Sequence, residues 1–352
     1  MANAPAVSVI IPMFNAEKYI AECLDSVLAQ TFQDFEVIIV NDCATDGSRQ
    51  IAESYLEKFG GRLKIYDNES NLGISSTRNN GLLRARGEYV FFMDDDDLIL
   101  ASALEELYGK AKHFNVDVVN FTEAYSMSED GKEVTRKFFV GKIKGKYLLE
   151  SNMEWRIKNF LLHDRFGWAP WRKMSRREFL LGNEIFFPVK LKRVEDVMWT
   201  HALLFFAKKI IHVPRAVYFH RSSLVSESVT MSRLERINFR AGALVHAMEW
   251  IDKIMDRAPF FEKNPKYRYP ILKHIAKRFF KIVTHIDSHI SPRDMYDSLR
   301  EEFKENSDGC NASVAVPVLF TLINEYQRKL AKHKPEKHLV STQEQLVGFD
   351  KN

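Results

Sequence analysis

The chain has 352 residues, of which 45% are hydrophobic and 12% aromatic, enough for one large or two medium domains with packed cores. Its formal net charge of +4 is small for this length, so charge alone gives no reason to expect a nucleic-acid partner. The three cysteines, Cys23, Cys43 and Cys310, lack a CxxC spacing, and their odd number fits neither a disulfide framework nor a structural zinc site.

The N-terminal stretch MANAPAVSVIIPMFN has no basic segment before its apolar run, as a signal peptide would have. No run of about 18 apolar residues occurs that could form a membrane-spanning helix. We therefore expect a cytoplasmic protein.

Short apolar runs rich in β-branched residues alternate with helical patterns in the first third of the chain. We predict strands at 7–12, 36–42, 63–68, 88–94 and 116–121, with amphipathic helices between them. This order predicts right-handed crossovers and an α/β fold with a Rossmann-like, mostly parallel central sheet. Ligands of such sheets bind beyond the carboxyl ends of the strands, which is where the polar residues of this sequence collect.

The pattern changes after about residue 222, where long, aromatic and basic helical patterns replace the strands. We predict an α/β domain over 1–225, a helical region over 226–334 and a flexible tail over 335–352.

The stretch EYVFFMDDDDLIL, residues 88–100, ends a buried strand in four consecutive aspartates. Carboxylates at this position suit Mg2+ or Mn2+, which prefer oxygen ligands and would relieve the mutual repulsion. A calcium loop counted from Asp94 would need glycine where Ile99 stands. A phosphatase with an aspartate nucleophile would need further residues downstream that the chain does not offer. The plainest alternative is an acidic helix N-terminus, since Asp95 to Asp97 precede a helix predicted near Ala101.

Residues 7–48 and 71–97 together carry a linked series of motifs that resembles the N-terminal half of glycosyltransferase family 2, whose members have the GT-A fold. The resemblance is strong over about 5–125 and weaker over 165–225. It implies an inverting transfer of a sugar from a nucleotide diphosphate donor, usually UDP-linked, to an acceptor hydroxyl. Asp94 to Asp96 match the family's D-x-D, which implies Mn2+ or Mg2+ as cofactor.

The resemblance also implies roles for residues on the donor side. Asp42 matches the aspartate that hydrogen-bonds the uracil, Asp94 would contact the ribose, and Asp96 would bind the metal beside Asp95. Asn71, Gly73 and Arg78 match N-x-G-x-x-x-x-R-N, whose arginine lies near base or phosphate. The first-loop motif near the nucleotide is matched by Pro12, Phe14, Asn15 and Glu17.

The donor side departs from the family pattern at one point and allows structural alternatives at two residues. Cys43 and Ala44 stand where the family more often has Gly-Ser, so we expect a different local turn. The structural alternatives are a helix N-cap for Asp42 and a surface ion pair for Arg78.

On the acceptor side, the segment VKLKRVEDVMWTHALL places Glu195 and Asp196 where the family's ED motif begins a helix. An acceptor hydroxyl must lose a proton, and we predict Asp196 as the general base. Glu195 would orient the acceptor or its loop, although neighbouring carboxylates can exchange roles. The alternative is an acidic first turn of a helix.

Five further positions are candidates. We expect His220 as a late metal or diphosphate contact and Arg221 as a bidentate phosphate ligand. Lys173 would lie near the phosphates, and Trp168 or Trp171 would offer an aromatic platform for the acceptor sugar. Structural histidine and buried tryptophans are the alternatives.

The segment 266–286 combines Ile271, Ile275, Phe279, Ile282 and Ile286 at helical spacing with a basic flank. Such a helix can contact an anionic membrane peripherally at its inner face, which would suit a lipid-linked acceptor. A helix that packs on the protein core is the alternative.

These features predict an inverting, metal-dependent glycosyltransferase of polysaccharide or glycolipid synthesis that uses a UDP-linked donor and a saccharide or lipid-linked saccharide acceptor. A nucleotidyltransferase would need a glycine-rich loop after the first strand, and IIPMFNAEKYI has none. A non-catalytic sugar-binding protein of the same fold remains an alternative. The donor sugar, the acceptor and the oligomeric state are left open, and a homo-oligomer is compatible with the sequence.

Overall fold

The computed structural model describes residues 4–138, 147–163, 166–189, 191, 194–222 and 246–286. The described residues form ten strands: β1 (Val7–Met13), β2 (Phe35–Asn41), β3 (Leu63–Asp67), β4 (Tyr89–Phe92), β5 (Leu98–Ile99), β6 (Val118–Met127), β7 (Val134–Phe138), β8 (Leu148–Glu150), β9 (Lys173–Arg176) and β10 (Ile210–Arg221). Their helices are α1 (Ile20–Leu28), α2 (Ser48–Glu53), α3 (Ile74–Arg84), α4 (Ala103–Phe114), α5 (Met153–Asn159), α6 (Arg177–Gly182), α7 (Glu195–Phe206), α8 (246–257), α9 (Pro259–Lys263) and α10 (Arg268–Ile286).

All ten strands join one sheet, in the order β3-β2-β1-β4-β9-β6-β10-β5, with β7 beside β6 and β8 beside β10. Neighbours β3, β2, β1 and β4 are parallel, and so are β6 and β10. Strand β9 is antiparallel to both β4 and β6. The predicted α/β fold is therefore confirmed. The sheet is mixed where a mostly parallel one was predicted, because β5, β7 and β8 also pair antiparallel to their neighbours. Because β9 is antiparallel to both of its neighbours, β4 and β6 run in the same direction. The carboxyl ends of β4, β6 and β10 therefore lie at the same edge of the sheet as that of β1.

The parallel strands bury both faces because helices cover each side, as their continuous apolar runs require. In β1, Ile10 points into one core cluster while Val9 and Ile11 point into the other. The same alternation places Phe92 in the first cluster and Phe91 in the second. The acidic loop after β4 thus begins from a strand that is fixed on both faces.

The helices at 246–286 pack on the first of these two clusters. Ile251 and Ile271 are fully buried there together with Trp199 of α7. Ile275 is also buried. The two described residues of the predicted membrane-facing stripe, Ile271 and Ile275, therefore pack on the protein core, as the core-packing alternative predicts. Side chains of Phe279, Ile282 and Ile286 lie outside the described ones, as do the predicted boundary at 225 and the tail at 335–352. The domain division stays a prediction.

None of the helices in the described part of the chain combines the length and apolar character needed to cross a membrane.

Candidate active site

A cleft of about 540 Å³ opens where β1, β4 and β10 end. It brings together residues of four separate segments: Pro12, Ile74, Arg78, Asp94, Asp95, Asp96, His220, Arg221 and Ser222. Seven of the predicted site residues therefore share one cavity, at the strand ends where α/β sheets bind their ligands.

Arg78 is the positive group that the aspartate run requires. It lies in the second turn of α3, is 4% exposed, and has the Phe187 ring 5.2 Å from its guanidinium carbon. Its Nη2 donates to Asp94 Oδ1 at 2.9 Å and its Nη1 donates to Asp196 Oδ1 at 2.8 Å. One guanidinium thus joins the D-x-D segment to the ED segment, and because Arg78 is buried this is not the surface ion pair of the structural alternative.

Asp196 occupies the first turn of α7, where its side chain remains 35% exposed. Burial raises the pKa of Asp196, and the attraction of Arg78 lowers it only in part. A carboxylate with a raised pKa is a stronger proton acceptor than an ordinary surface aspartate. Glu195, the residue before it, is buried.

The acidic loop is held by donors from several directions. Asp95 Oδ2 accepts from Phe14 N at 3.0 Å, and Asp97 Oδ1 accepts from Arg221 N at 2.7 Å. Burial and the neighbouring carboxylates raise the pKa of Asp95 to about 8, while burial and Asp94 raise the pKa of Asp96 to about 6. A bound cation would relieve this stored repulsion.

No three His, Cys, Asp or Glu side chains of the described residues converge as a complete ligand set for a metal ion. The carboxylates still fit a shared Mg2+ or Mn2+, because Mg2+ is commonly bound through one or two carboxylates plus substrate phosphates and water. Since Asp94 is engaged by Arg78 and Asp95 by Phe14, Asp96 is the carboxylate best placed to hold such an ion.

Asp42 is buried and organises the loop before α3. Its Oδ1 accepts from Leu72 N at 2.8 Å and its Oδ2 from Gly73 N at 2.8 Å. Gly73 has φ +81°, a conformation that favours glycine, and Asn71 beside it is exposed. Asp42 therefore supports the Asn71–Gly73 motif directly. This role is close to the helix-cap alternative, and it leaves little of the carboxylate free to hydrogen-bond a uracil.

The first-loop residues tie the loop after β1 to the loop after β2. Asn15 Oδ1 accepts from Thr45 N at 2.8 Å, and Glu17 Oε2 accepts from Gly47 N at 2.9 Å. Pro12 is buried at the end of β1, whereas Phe14 is 46% exposed. Cys43 stands where the family more often has glycine, and it adopts φ +60° in the region that glycine favours.

Lys173, expected near the phosphates, is not among the residues that line the cleft. It is fully buried, and its ammonium donates to the carbonyls of Gly167 and Ala169 at 2.8 and 2.9 Å. Burial lowers the pKa of Lys173. The lysine thus holds the two residues that flank Trp168, and its satisfied donors explain how a lysine can lie inside the core.

The two tryptophans differ. Trp171 is 7% exposed and stacks on Tyr218 with ring centroids 4.4 Å apart, so it serves the core and not a sugar. Trp168 is half-buried, stacks on His201 at 4.8 Å, and accepts from Thr200 Oγ1 at 2.8 Å through its carbonyl. Because Thr200 lies one helical turn after Asp196 on α7, the main chain of Trp168 lies beside the α7 face that carries Asp196, while its ring lies on His201.

His220 and Arg221 both line the cleft. The His220 ring stacks over Trp171 with centroids 5.4 Å apart. Arg221 differs from the expected phosphate ligand, because its side chain is only 3% exposed and pairs with Glu22 at 2.7 Å.

Three supporting residues escaped sequence reasoning. Asn68 Nδ2 donates to Asp42 at 2.7 Å, the Tyr218 hydroxyl accepts from Asp94 N at 3.1 Å, and Phe187 lies against Arg78. Of the three, only Tyr218 could have been predicted from the sequence, because it lies two residues before His220 and therefore on the same face of the strand.

The sequence model of the family described as Glycosyl transferase family 2 matches residues 8–178. The protein called uncharacterized glycosyltransferase EpsJ of Bacillus subtilis is 32% identical over 62% of this chain and 62% of its own length. The putative glycosyltransferase EpsH of the same organism is 30% identical over 75% of this chain and 71% of its own length. This chain belongs to glycosyltransferase family 2.

The fold of this family 2 glycosyltransferase also matches a solved structure. The crystal structure of S. aureus TarS 1–349 in complex with UDP-GlcNAc aligns with a TM-score of 0.56 at 22% identity, over 92% of each chain. At this identity the match shows the GT-A fold alone. The family match ends at residue 178, so Asp196, His220 and Arg221 lie beyond it.

Proposed function

We propose that this family 2 enzyme transfers a sugar, with inversion, from a UDP-linked donor to a saccharide hydroxyl, free or lipid-linked, with the help of Mn2+ or Mg2+. Asp94 and Asp96 serve the donor and its cation, and Asp196 acts as the general base.

The bridge formed by Arg78 is the observation that carries this proposal. Asp94 and Asp196 accept from the two terminal nitrogens of one guanidinium, at 2.9 and 2.8 Å. These nitrogens are only a few ångströms apart, so Asp94 on the sugar-donor side and Asp196, the proposed base, face a common space. A reacting hydroxyl and an anomeric carbon need this proximity.

The charges around the cleft support a role for a divalent cation. Among the described residues that line the cleft, Arg78 is already paired with two carboxylates and Arg221 with Glu22. Asp95 and Asp96 add two acidic groups to the paired Asp94, so a diphosphate would meet repulsion here. A bound cation would neutralise the diphosphate as it leaves. The first carboxylate to hold it would be Asp96, with His220 as a second candidate.

The residues of the chain itself then account for the proton. Asp196 accepts the proton of the acceptor hydroxyl while that oxygen forms its bond to the anomeric carbon, and the bond from that carbon to the donor diphosphate breaks on the opposite side. Trp168, whose main chain lies beside the α7 face that carries Asp196, is the acceptor platform that we propose. The known complex of TarS with UDP-GlcNAc supports a UDP-linked donor for a chain of the same fold.

A panel of UDP-glucose, UDP-galactose, UDP-N-acetylglucosamine and GDP-mannose, each with Mn2+ or with EDTA, tests the proposal through donor hydrolysis and through transfer to methyl glycosides. We expect turnover of a UDP-linked donor with Mn2+ and none with EDTA. Asp196→Asn should lose turnover, while Glu178→Gln, an exposed acidic residue in the first turn of α6, should keep it. A protein that binds UDP but neither hydrolyses nor transfers any donor would instead be the non-catalytic sugar-binding alternative.

A further inference from the structure

Arg221 ends β10 at the rim of the cleft, yet every nitrogen of its guanidinium already donates to an oxygen of the protein. Nε donates to Asp96 O at 2.8 Å, Nη1 to Glu129 O at 2.7 Å and Nη2 to Glu22 Oε2 at 2.7 Å. Three of its five N–H groups are thus engaged, one on each nitrogen, so a bidentate phosphate contact, which needs two parallel donors on one edge, would compete with these protein partners.

The same short segment of β10 holds the acidic loop at two more points. The main-chain N–H of Arg221 donates to Asp97 Oδ1 at 2.7 Å, and the Tyr218 hydroxyl accepts from Asp94 N at 3.1 Å. Three of the four aspartates are therefore fixed by two residues of one strand, through contacts that do not use the outward carboxylate oxygens of Asp96.

The far side of Arg221 is anchored as well. Glu22, on α1, is 60% exposed and lies at the outer side of the ion pair, while the Tyr19 ring packs 4.7 Å from the guanidinium carbon. Glu129 belongs to the turn between β6 and β7, and its carboxylate in turn accepts from Lys18 at 2.7 Å. Arg221 thus connects the acidic loop to α1 and to that turn.

We propose that Arg221 is a positioning residue, which holds the loop Asp94–Asp97 in its cation-binding form and does not bind the donor diphosphate. The proposal rests on the proposed function for the role of the cation. Its physical basis is preorganisation: four adjacent carboxylates repel one another before the cation arrives, and a loop fixed by neighbouring strands does not have to be ordered at the moment of binding.

Three variants of the full chain test this inference. Arg221→Lys replaces three donor nitrogens by one, Glu22→Gln removes the negative charge of one anchor from outside the cleft, and Glu57→Gln is an exposed control. Amide hydrogen exchange of the cation-free protein reports the loop directly, and we expect faster exchange at Asp94 and Asp97 in the first two variants only. Thermal unfolding checks that each variant is folded.

Binding measurements separate positioning from phosphate binding. We expect the Kd for Mn2+, measured by electron paramagnetic resonance with saturating UDP, to rise about tenfold in Arg221→Lys and about threefold in Glu22→Gln, by loss of charged hydrogen bonds. The Kd for UDP at saturating Mn2+, measured by calorimetry, should change several times less. A direct phosphate ligand would give the reverse order.

Unchanged amide exchange in both variants, or a larger loss in UDP affinity than in Mn2+ affinity, would overturn the inference. If Arg221→Lys does not fold, Glu22→Gln alone decides between the two outcomes. Failure of the wild type to turn over any donor would count against the proposed function, whereas the exchange measurement judges the role of Arg221 without any donor.

Discussion

Arg78 donates to both Asp94 and Asp196, two residues that belong to different halves of the proposed reaction. Asp196 is 118 residues away along the chain, and both carboxylates are reached from one buried guanidinium at 2.8 and 2.9 Å. The position of the proposed base is therefore set by the donor side of the site, and a change at Arg78 should disturb both.

Arg78→Lys tests this coupling. An ammonium is a single charged centre and cannot reproduce two donors in a fixed fork, so Asp94 or Asp196 loses its partner. We expect kcat/KM for sugar transfer to fall by about 10²-fold or more, as for loss of a positioned catalytic group. Arg84→Lys, an exposed position of the same helix, is the matched control, and equal activity of both variants would contradict the coupling.

Asp196→Asn tests the base. Donor affinity should change little, because the amide keeps the shape of the side chain, while the transfer rate falls by about 10²–10⁴-fold. UDP calorimetry and single-turnover transfer measure the two quantities separately. If Glu195→Gln gives this pattern and Asp196→Asn does not, the roles of the two residues are exchanged.

The pH dependence of transfer carries a related prediction. Burial raises the pKa of Asp196 and Arg78 opposes this shift, so removing the positive charge should raise the pKa further. A base must be ionised, and activity is lost as the pH falls through its pKa. The acid limb of kcat, measured with saturating donor and Mn2+, should therefore move to higher pH in Arg78→Met. A limb that stays in place would mean that another group controls it.

Asp42→Asn tests the loop before α3. An amide nitrogen cannot accept from a main-chain N–H, so either Leu72 N or Gly73 N loses its acceptor. We expect UDP affinity to fall about tenfold, which corresponds to roughly 1.4 kcal/mol. The affinity for Mn2+ at saturating UDP should change less, and the exposed Asp34→Asn should leave both values unchanged.

Glu36 gives a prediction about stability away from the cleft. Burial raises the pKa of Glu36, but the hydrogen bonds from Arg86 and Ser8 outweigh burial and lower it below 4.5. A lowered folded-state pKa contributes stability that is complete above the unfolded value of 4.5 and is lost as the pH falls through the folded value. Glu36→Gln should reduce the free energy of unfolding by about 1–3 kcal/mol at pH 7. Denaturant unfolding should show this difference shrinking in acid, and the exposed Glu69→Gln should show none.

Sequence reasoning located the strands of the parallel part of the sheet because their signal is local. A continuous run such as VSVIIPM can be buried on both faces only as an inner strand, and the structure places it as β1 between β2 and β4. Strand β9 was missed because KMSR is short and basic, and its pairing partners are supplied only by the folded sheet.

The candidate site was predictable as a set of loops but not as a set of contacts. Motifs indicated which residues gather at the strand ends, and seven of them line the cleft. Lys173 was expected to face a phosphate, but it donates to the nearby carbonyls of Gly167 and Ala169. Arg221 carried the same expectation, because nothing near it in the sequence shows that the distant carbonyls of Asp96 and Glu129 will accept from its guanidinium. Such contacts depend on strand order and register, which no local pattern encodes.

The shared core has a practical consequence for chimeras built between relatives of this enzyme. Phe205 of α7 meets Phe261 of α9 edge-on at 4.8 Å, and both belong to the cluster that also packs beneath β1 and β4. A graft that ends at residue 178, where the family match ends, would exchange the β1 and β4 side of this cluster and keep the side formed by α7 and residues 246–286. If α7 serves the acceptor as proposed, a graft aimed at acceptor preference should therefore exchange α7 together with residues 246–286 and retain Arg78.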